Sequence, residues 1–229
     1  MLVLFDIDLT LLDARAAGAE ALRIAGRELF GEQFSPDGVD YAGRLDPLIV
    51  RDVLAAGGVE PSDANARALR ESYSGHISRV AAGRSRPLPG ARELVAAVGA
   101  LAGSTRGVLT GNFEESGSAK LKAAGFELQH FRVRVWGDAS PHDPPHRDHL
   151  PPIAMDLHES IAGRRLDPGD VVVIGDTPHD VRCARVNRCR SLGVATGRTP
   201  ARGLAEAGAD RVIDDLTDTR GIIEWLQQR

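Results

Sequence analysis

Two rhythms of hydrophobic and polar residues divide this chain. It opens on LVLFD (2–6), a short apolar run cut off by charge, which predicts a buried strand. From Ala14 to about residue 82 apolar positions recur three and four apart, the spacing of helices. ARAAGAEALRIAGRELFG, DPLIVRDVLAAGG and SDANARALRESYSGHISRVAA predict three of them, with glycine near the ends of the first two. Pro47 suits a first helical turn and Ser62 an N-cap. GRSRPLPG (83–90) is a stiff joint, after which strands and helices alternate. RGVLT, FRVRVW, VVVIG, RSLGVAT and RVI read as strands; ARELVAAVGALAG, EESGSAKLKAAG, LPPIAMDLHESIAGR, PHDVRCARVN, ARGLAEAG and GIIEWLQQ read as helices.

Buried runs such as VVVIG alternating with helices predict an α/β fold, a Rossmann-like parallel sheet sandwiched by helices. The expected organisation is a core of residues 1–13 and 85–229, with a small helical cap of residues 14–84 inserted after the first strand. An insertion there lies over the carboxyl end of that strand, where open parallel sheets bind ligands.

Composition changes this picture little. The 229 residues are 42% hydrophobic and 26% charged, with a net charge of −4, which gives no basis for binding nucleic acid or an anionic membrane. No apolar run approaches the ~20 residues of a membrane span, and the N-terminus lacks a signal-peptide pattern. Cys183 and Cys189, separated by five residues and with no further cysteines, read as reduced core thiols of a cytoplasmic protein. The basic residues are lopsided: of 28, only Lys120 and Lys122 are lysines.

The candidate chemistry sits at the ends of predicted strands. FDIDLT (5–10), VLTGN (108–112), GDASPHDPPHRDH (137–149) and VIGDTPHD (173–180) share one sheet edge. Asp6 ends a buried strand, where a carboxylate is costly unless something pairs it. Asp8 lies two residues on, an offset that keeps it near the same side of an extended chain.

In these stations the chain resembles the haloacid dehalogenase-like hydrolase superfamily, in its phosphoglycolate phosphatase-like branch with a helical cap. Asp6-Ile7-Asp8-Leu9-Thr10 matches the first motif, D-x-D-x-T. Thr110 in LTGN matches the second, and Gly175-Asp176 through Asp180 the fourth, G-D-x-x-x-D. The resemblance covers essentially the whole chain, in order, cap included.

It implies a Mg²⁺-dependent phosphatase acting on a small phosphomonoester through an aspartyl-phosphate on Asp6. Asp8 would protonate the leaving oxygen and then take a proton from water. Asp6, Asp176 and the main-chain carbonyl of Asp8 are the implied Mg²⁺ ligands, with Asp180 a further ligand or an anchor for one. Thr110 and the amides of Gly111 and Asn112 would hold phosphate oxygens, and Thr10 would brace the first turn beside the substrate. The family's third motif is a lysine; neither lysine here fits, since both follow LTGN on a helix, so Arg147 is expected to supply the cation and to grip phosphate in bidentate fashion. In the cap, YAGRLDPLI resembles the substrate-contacting loop, with Arg44 reaching an anionic group and Gly43 allowing close backbone approach. Tyr73, His76 and Trp225 read as packing residues. His142, His146 and His149 read as part of a solvated, proline-stiffened loop rather than a zinc site.

Asp8 argues against a dehalogenase, and the absence of lysine from residues 14–84 against a phosphonate-cleaving enzyme. A receiver-type phospho-acceptor domain is unsuited to a 70-residue insertion after its first strand. A sugar-phosphate mutase uses the same aspartates and stays open, as does a catalytically silent binding module, which the intact acidic set disfavours. Phosphoglycolate, a sugar phosphate, a nucleotide monophosphate and pyrophosphate all stay open as substrates. The oligomeric state is open between monomer and dimer.

Overall fold

A computed structural model describes residues 1–228. The chain begins with β1 (Leu2–Phe5), turns, and forms the two-residue strand β2 (Leu12–Asp13). Three inserted helices follow: α1 (Ala17–Phe30), α2 (Asp46–Ala56) and α3 (Asp63–Arg84). Ser62 caps α3 by accepting the Asn65 N–H, and Pro47 lies in the first turn of α2. The helices close on Phe34, buried against Gly26 and Gly57; a Cβ at either glycine would come within 2.0–2.2 Å of its ring. Gly26 in a helix interior costs about 1 kcal/mol relative to alanine, which the burial of one phenylalanine offsets.

The chain leaves the insertion through β3 (Arg86–Pro87), which pairs antiparallel with β2, Leu12 opposite Pro87 and Asp13 opposite Arg86. It continues through α4 (Ala91–Ala100), β4 (Thr105–Leu109), α5 (Glu114–Ala123), β5 (Val133–Val135) and α6 (Leu150–Ala162). The last part is β6 (Val171–Gly175), α7 (Pro178–Val186), β7 (Arg190–Val194), α8 (Ala201–Glu206), β8 (Arg211–Ile213) and α9 (Thr219–Gln227). Six strands form one parallel sheet in the order β5-β4-β1-β6-β7-β8. The strand predicted over 131–136 is shorter than expected because β5 lies on the sheet edge and pairs only with β4, leaving Arg134 in solvent.

The alternation of side chains along β1 splits the core. Val3 and Phe5 face a cluster that takes in α4, α5 and α9 and also the inserted helices, through Leu22, Val53, Leu69 and Ile77. Leu2 and Leu4 face a second cluster with α6 and α7, in which Cys183 and Cys189 are buried and unbridged. The inserted helices therefore share their core with one face of the sheet. No helix among the described residues is long and apolar enough to cross a membrane.

The strand order reverses at β1: the chain runs outward through β4 to β5, then returns to β6 on the other side. The crevice at the carboxyl ends of β1, β4 and β6 is the topological switch point of this sheet.

Candidate active site

Asp6 follows β1 directly, its N–H donating to Ile174 O of β6 at 2.9 Å. The chain then turns rather than staying extended: Ile7 O accepts from the N–H groups of Leu11 and Leu12, and Leu9 adopts φ 56°. This turn aims Asp8 into a cavity of about 350 Å³ between the sheet edge and the inserted helices. Asp6, Thr110, Gly111, Asn112, Arg147 and Asp176 also line it.

Three carboxylates meet beside it, two of them on its lining. Oxygens of Asp6, Asp176 and Asp180 lie within 4.8 Å of one another, and all three residues are buried. One cation faces them. Arg147 Nη2 is 3.0 Å from Asp6 Oδ1 and 2.5 Å from Asp180 Oδ1. A single nitrogen makes both contacts, and Nε has no protein partner. Asp180 is fixed by the start of α7: its Oδ2 accepts the Thr177 N–H at 3.1 Å and the Thr177 hydroxyl at 2.6 Å in a capping box. Both oxygens of Asp180 are thus engaged, and it anchors Arg147.

Thr10 does not line the cavity, where a residue beside the substrate is expected. It is fully buried off the cavity, where its hydroxyl donates to Asp176 Oδ1 at 3.3 Å. Thr110 is buried at the end of β4; its Oγ1 accepts from Asn112 Nδ2 at 2.9 Å, and its hydroxyl donates to Asp6, favouring the charged carboxylate.

Arg147, not a lysine, stands beside Asp6, but one of the two lysines reaches the cavity elsewhere. Lys120 is buried, with Nζ 2.6 Å from Asp8 Oδ2 and 2.6 Å from Asn112 Oδ1. Asn112 Nδ2 donates to the same Asp8 oxygen at 2.9 Å. Burial opposes the charge on Lys120, but Asp8 and Asp46 outweigh it and hold its pKa above the usual lysine value. Asn112, Ser116 and Lys120 recur every four residues and share one face at α5, the signal that marks this lysine in the sequence. Lys122 points elsewhere and is exposed.

The loop before α2 lies directly on the sheet edge. Gly43, at φ +65°, leaves no room for a side chain: a Cβ would sit 2.8 Å from both Thr177 Oγ1 and His179 Cδ2. Its close approach is to the loop carrying Asp176, where substrate had been expected. Gly111 is tight in the same way, its Cβ position 2.1 Å from Arg44 O. Arg44 lines the cavity with its guanidinium paired to Asp52. Asp46 reaches across to the core, where its Oδ2 accepts the Phe113 N–H and the Ser116 hydroxyl, each at 2.8 Å. Tyr73 is buried as expected of a packing residue, yet it also lines the cavity. His76 pairs with Glu28, and Trp225 stacks on Arg190.

The histidine loop places Arg147 in a 3-10 turn (Arg147–His149) whose start is capped by His146 Nδ1, which accepts the Asp148 N–H. The ring of His149 lies 4.5 Å from His142 and 5.9 Å from His146, with its Nδ1 engaged by the Ser140 hydroxyl. Among the described residues, the one metal-competent grouping is Asp6, Asp176 and Asp180.

Electrostatics show what that grouping lacks. Burial, only partly offset by Arg147 and reinforced by Asp180 and Asp8, raises the Asp6 pKa from 3.8 to about 6. Burial, with Asp180 and Asp6 adding to it, raises Asp176 to about 8. Three buried carboxylates against one guanidinium leave excess negative charge, and the donors are all oxygen. Such a set fits a hard divalent cation such as Mg²⁺.

These shifts set a pH dependence. The folded protein retains protons on Asp6 and Asp176 that the unfolded chain releases near 3.8, so stability falls as pH rises. In EDTA, the melting temperature is expected to decline from about pH 4 to pH 8, with most of the loss complete once Asp176 ionises near 8. Added Mg²⁺ is expected to flatten that decline. Melting scans across this range check both, and an EDTA profile rising toward pH 8 contradicts the excess charge.

Comparison with known proteins agrees with the geometry. The family model for haloacid dehalogenase-like hydrolases matches residues 3–185. A phosphoglycolate phosphatase of Nitrosospira multiformis is 25% identical over 224 residues, covering 97% of this chain and 95% of that protein. A hydrolase structure from Pseudomonas syringae superposes with a TM-score of 0.73 at 21% identity, covering all of both chains. A candidate beta-phosphoglucomutase structure from Thermotoga maritima gives 0.65 at 21% identity, covering 98% of each chain. With a buried aspartate closing β1, a matching family model over most of its length and the same fold in these solved structures, the chain belongs to the haloacid dehalogenase-like hydrolases.

Proposed function

We propose that this protein is a Mg²⁺-dependent phosphatase that hydrolyses a small phosphomonoester through an aspartyl-phosphate on Asp6. One observation carries most of the weight: a buried carboxylate at the end of β1, paired with a buried arginine, shares a cavity with a second carboxylate, Asp8, that stands outside the acidic cluster. The resemblance of the whole chain to phosphoglycolate phosphatases supports the same chemistry and makes phosphoglycolate the first substrate to try.

Asp6 attacks phosphorus and Asp8 gives a proton to the departing oxygen. Asp8 then takes a proton from the water that hydrolyses the aspartyl-phosphate. The Thr110 hydroxyl, with the N–H groups of Gly111 and Asn112, holds the phosphoryl oxygens. Arg147 offsets the charge of Asp6 and orients it through the Asp180 anchor. Asp6, Asp176 and the main-chain carbonyl of Asp8 would hold Mg²⁺, which supplies positive charge to the phosphoryl group when bound. Residues 14–84 act as a lid that excludes bulk water, with Gly43 and Arg44 at its contact with the site. A cavity of about 350 Å³ suits a metabolite rather than a macromolecule.

The test is phosphate release from p-nitrophenyl phosphate and from phosphoglycolate, with Mg²⁺ and with EDTA. Turnover is expected with Mg²⁺, lost in EDTA and restored by excess metal. Turnover indifferent to EDTA removes the metal from the scheme. No turnover on these or a wider panel of phosphate metabolites removes the phosphatase.

A further inference from the structure

Lys120 belongs to none of the family's motifs, yet it is a buried cation at the cavity with two close polar partners. A buried ammonium is costly unless its donors are satisfied and its charge is offset. Of its three donors, two are taken by Asp8 Oδ2 and Asn112 Oδ1, both at 2.6 Å. What surrounds it comes from all three inserted helices. A Cβ at Gly18 of α1 would lie 3.6 Å from Lys120 Nζ and 3.5 Å from the hydroxyl of Tyr73, which α3 supplies. Asp46, at the start of α2, contributes the second negative charge and is bolted to the turn that begins α5. The Asp46 N–H donates to Gly111 O at 2.7 Å, so the same junction joins backbone to backbone.

Asp8 itself is held on one oxygen by Asn112 and Lys120, both delivered by the segment from the end of β4 through α5. Its side chain is 37% exposed, so it is not locked by packing, and these two hydrogen bonds choose its orientation. With the insertion lifted away, Gly18, Tyr73 and Asp46 would leave Lys120 to water, and an ammonium free to be hydrated no longer grips one carboxylate in one geometry.

We propose that Lys120 is a positioning residue through which the docked helical insertion sets the orientation of Asp8, so that proton delivery to the leaving group is available only when the lid is closed. This rests on the assignment of Asp6 as nucleophile and Asp8 as proton donor. It assigns Lys120 a task different from that of Arg147, which serves Asp6.

The experiment measures kcat/KM, which reports phosphoryl transfer to Asp6, across substituted phenyl phosphates. Loss of p-nitrophenolate needs little protonation; loss of phenolate, a far stronger base, needs a positioned acid. For Lys120→Met, the penalty on phenyl phosphate is expected to exceed that on p-nitrophenyl phosphate by about tenfold or more. Asp46→Asn keeps the side-chain shape and removes the charge on the lid side, and is expected to steepen the leaving-group dependence in the same direction. Melting curves and circular dichroism report that each variant is folded. Equal losses on both substrates in a folded Lys120→Met would overturn the proposal while leaving the phosphatase standing. An unchanged slope in Asp46→Asn would cut the link to the lid. Failure of the wild type on every aryl phosphate, or full activity in Asp6→Asn, would remove the underlying assignment and this inference with it.

Discussion

Asp6→Asn is expected to lower turnover of p-nitrophenyl phosphate by roughly 10⁴-fold or more, with the fold intact. Asparagine has the shape of aspartate and its Oδ1 still accepts from Arg147, so packing at the end of β1 is preserved. What it lacks is a carboxylate to form the acyl-phosphate, and nothing else in the cavity is placed to substitute. Asp8 is turned toward Asn112 and Lys120, Asp180 is bound on both oxygens, and Asp176 accepts from Thr10. The substitution also removes one of three mutually repelling buried charges, so the metal-free variant is expected to melt no lower than the wild type at pH 8. Steady-state kinetics and a melting curve decide the matter together. A tenth of the activity surviving would place the nucleophile elsewhere.

Arg147→Met should have the largest effect on stability. Among the described residues Arg147 is the one cation in contact with Asp6 and Asp180, and removing one partner of a buried ion pair typically costs about 3–5 kcal/mol. For a chain of this size that is a fall of about 10 °C in melting temperature. The sign of its pH dependence separates lost charge from lost packing. The orphaned carboxylates take up protons at low pH, so the deficit should be smaller near pH 5 than near pH 8. Activity should fall steeply as well, since Asp6 loses both its counter-charge and its orientation. Arg147→Lys is the informative contrast. Because Nη2 alone makes the contacts to Asp6 and Asp180, a single ammonium placed there reproduces them, and the lysine variant is expected to keep activity within about tenfold of wild type. A lysine variant as inactive as the methionine one would show that the guanidinium's other nitrogens, including the unpartnered Nε, serve the substrate.

Much of this was legible in the sequence, for a physical reason. Strands buried on both faces leave uninterrupted apolar runs, so LVLF and VVVIG declare themselves, and the residue that ends each run, Asp6 or Gly175-Asp176, falls at the sheet edge. Such positions follow from local pattern alone. Lys120 was not found this way because its role depends on a helix turning toward a residue 112 positions away, and the family's cation had already been sought in another loop. Its spacing from Asn112 and Ser116 carried the information, but only once the end of β4 was known to face Asp8. Thr10 was misplaced for a similar reason. Extended geometry would have kept it beside Asp8, whereas the turn through Leu9 swings it beneath Asp176. Gly43 reads in the sequence as a site of close approach, and the fold shows that what it approaches is the loop carrying Asp176; the equal tightness of Gly111 against Arg44 O depends on the cap's placement and has no local signal.

The two-residue ribbon of β2 and β3 brings the entrance and exit of the insertion side by side. Geometrically, the segment between β2 and β3 is a cassette: its ends lie adjacent, so exchanging it for another segment would place little strain on the sheet or on the aspartates. The shared apolar cluster limits that freedom. A replacement must still cover the exposed side of α5 and the Phe5 face of β1, and must still offer a carboxylate to the Phe113 N–H. Divergence among such insertions is therefore channelled. The wall formed by Ala16, Ala19, Leu22, Tyr41 and Ile49 can change with the substrate, while the surface turned toward α5 is held to one shape.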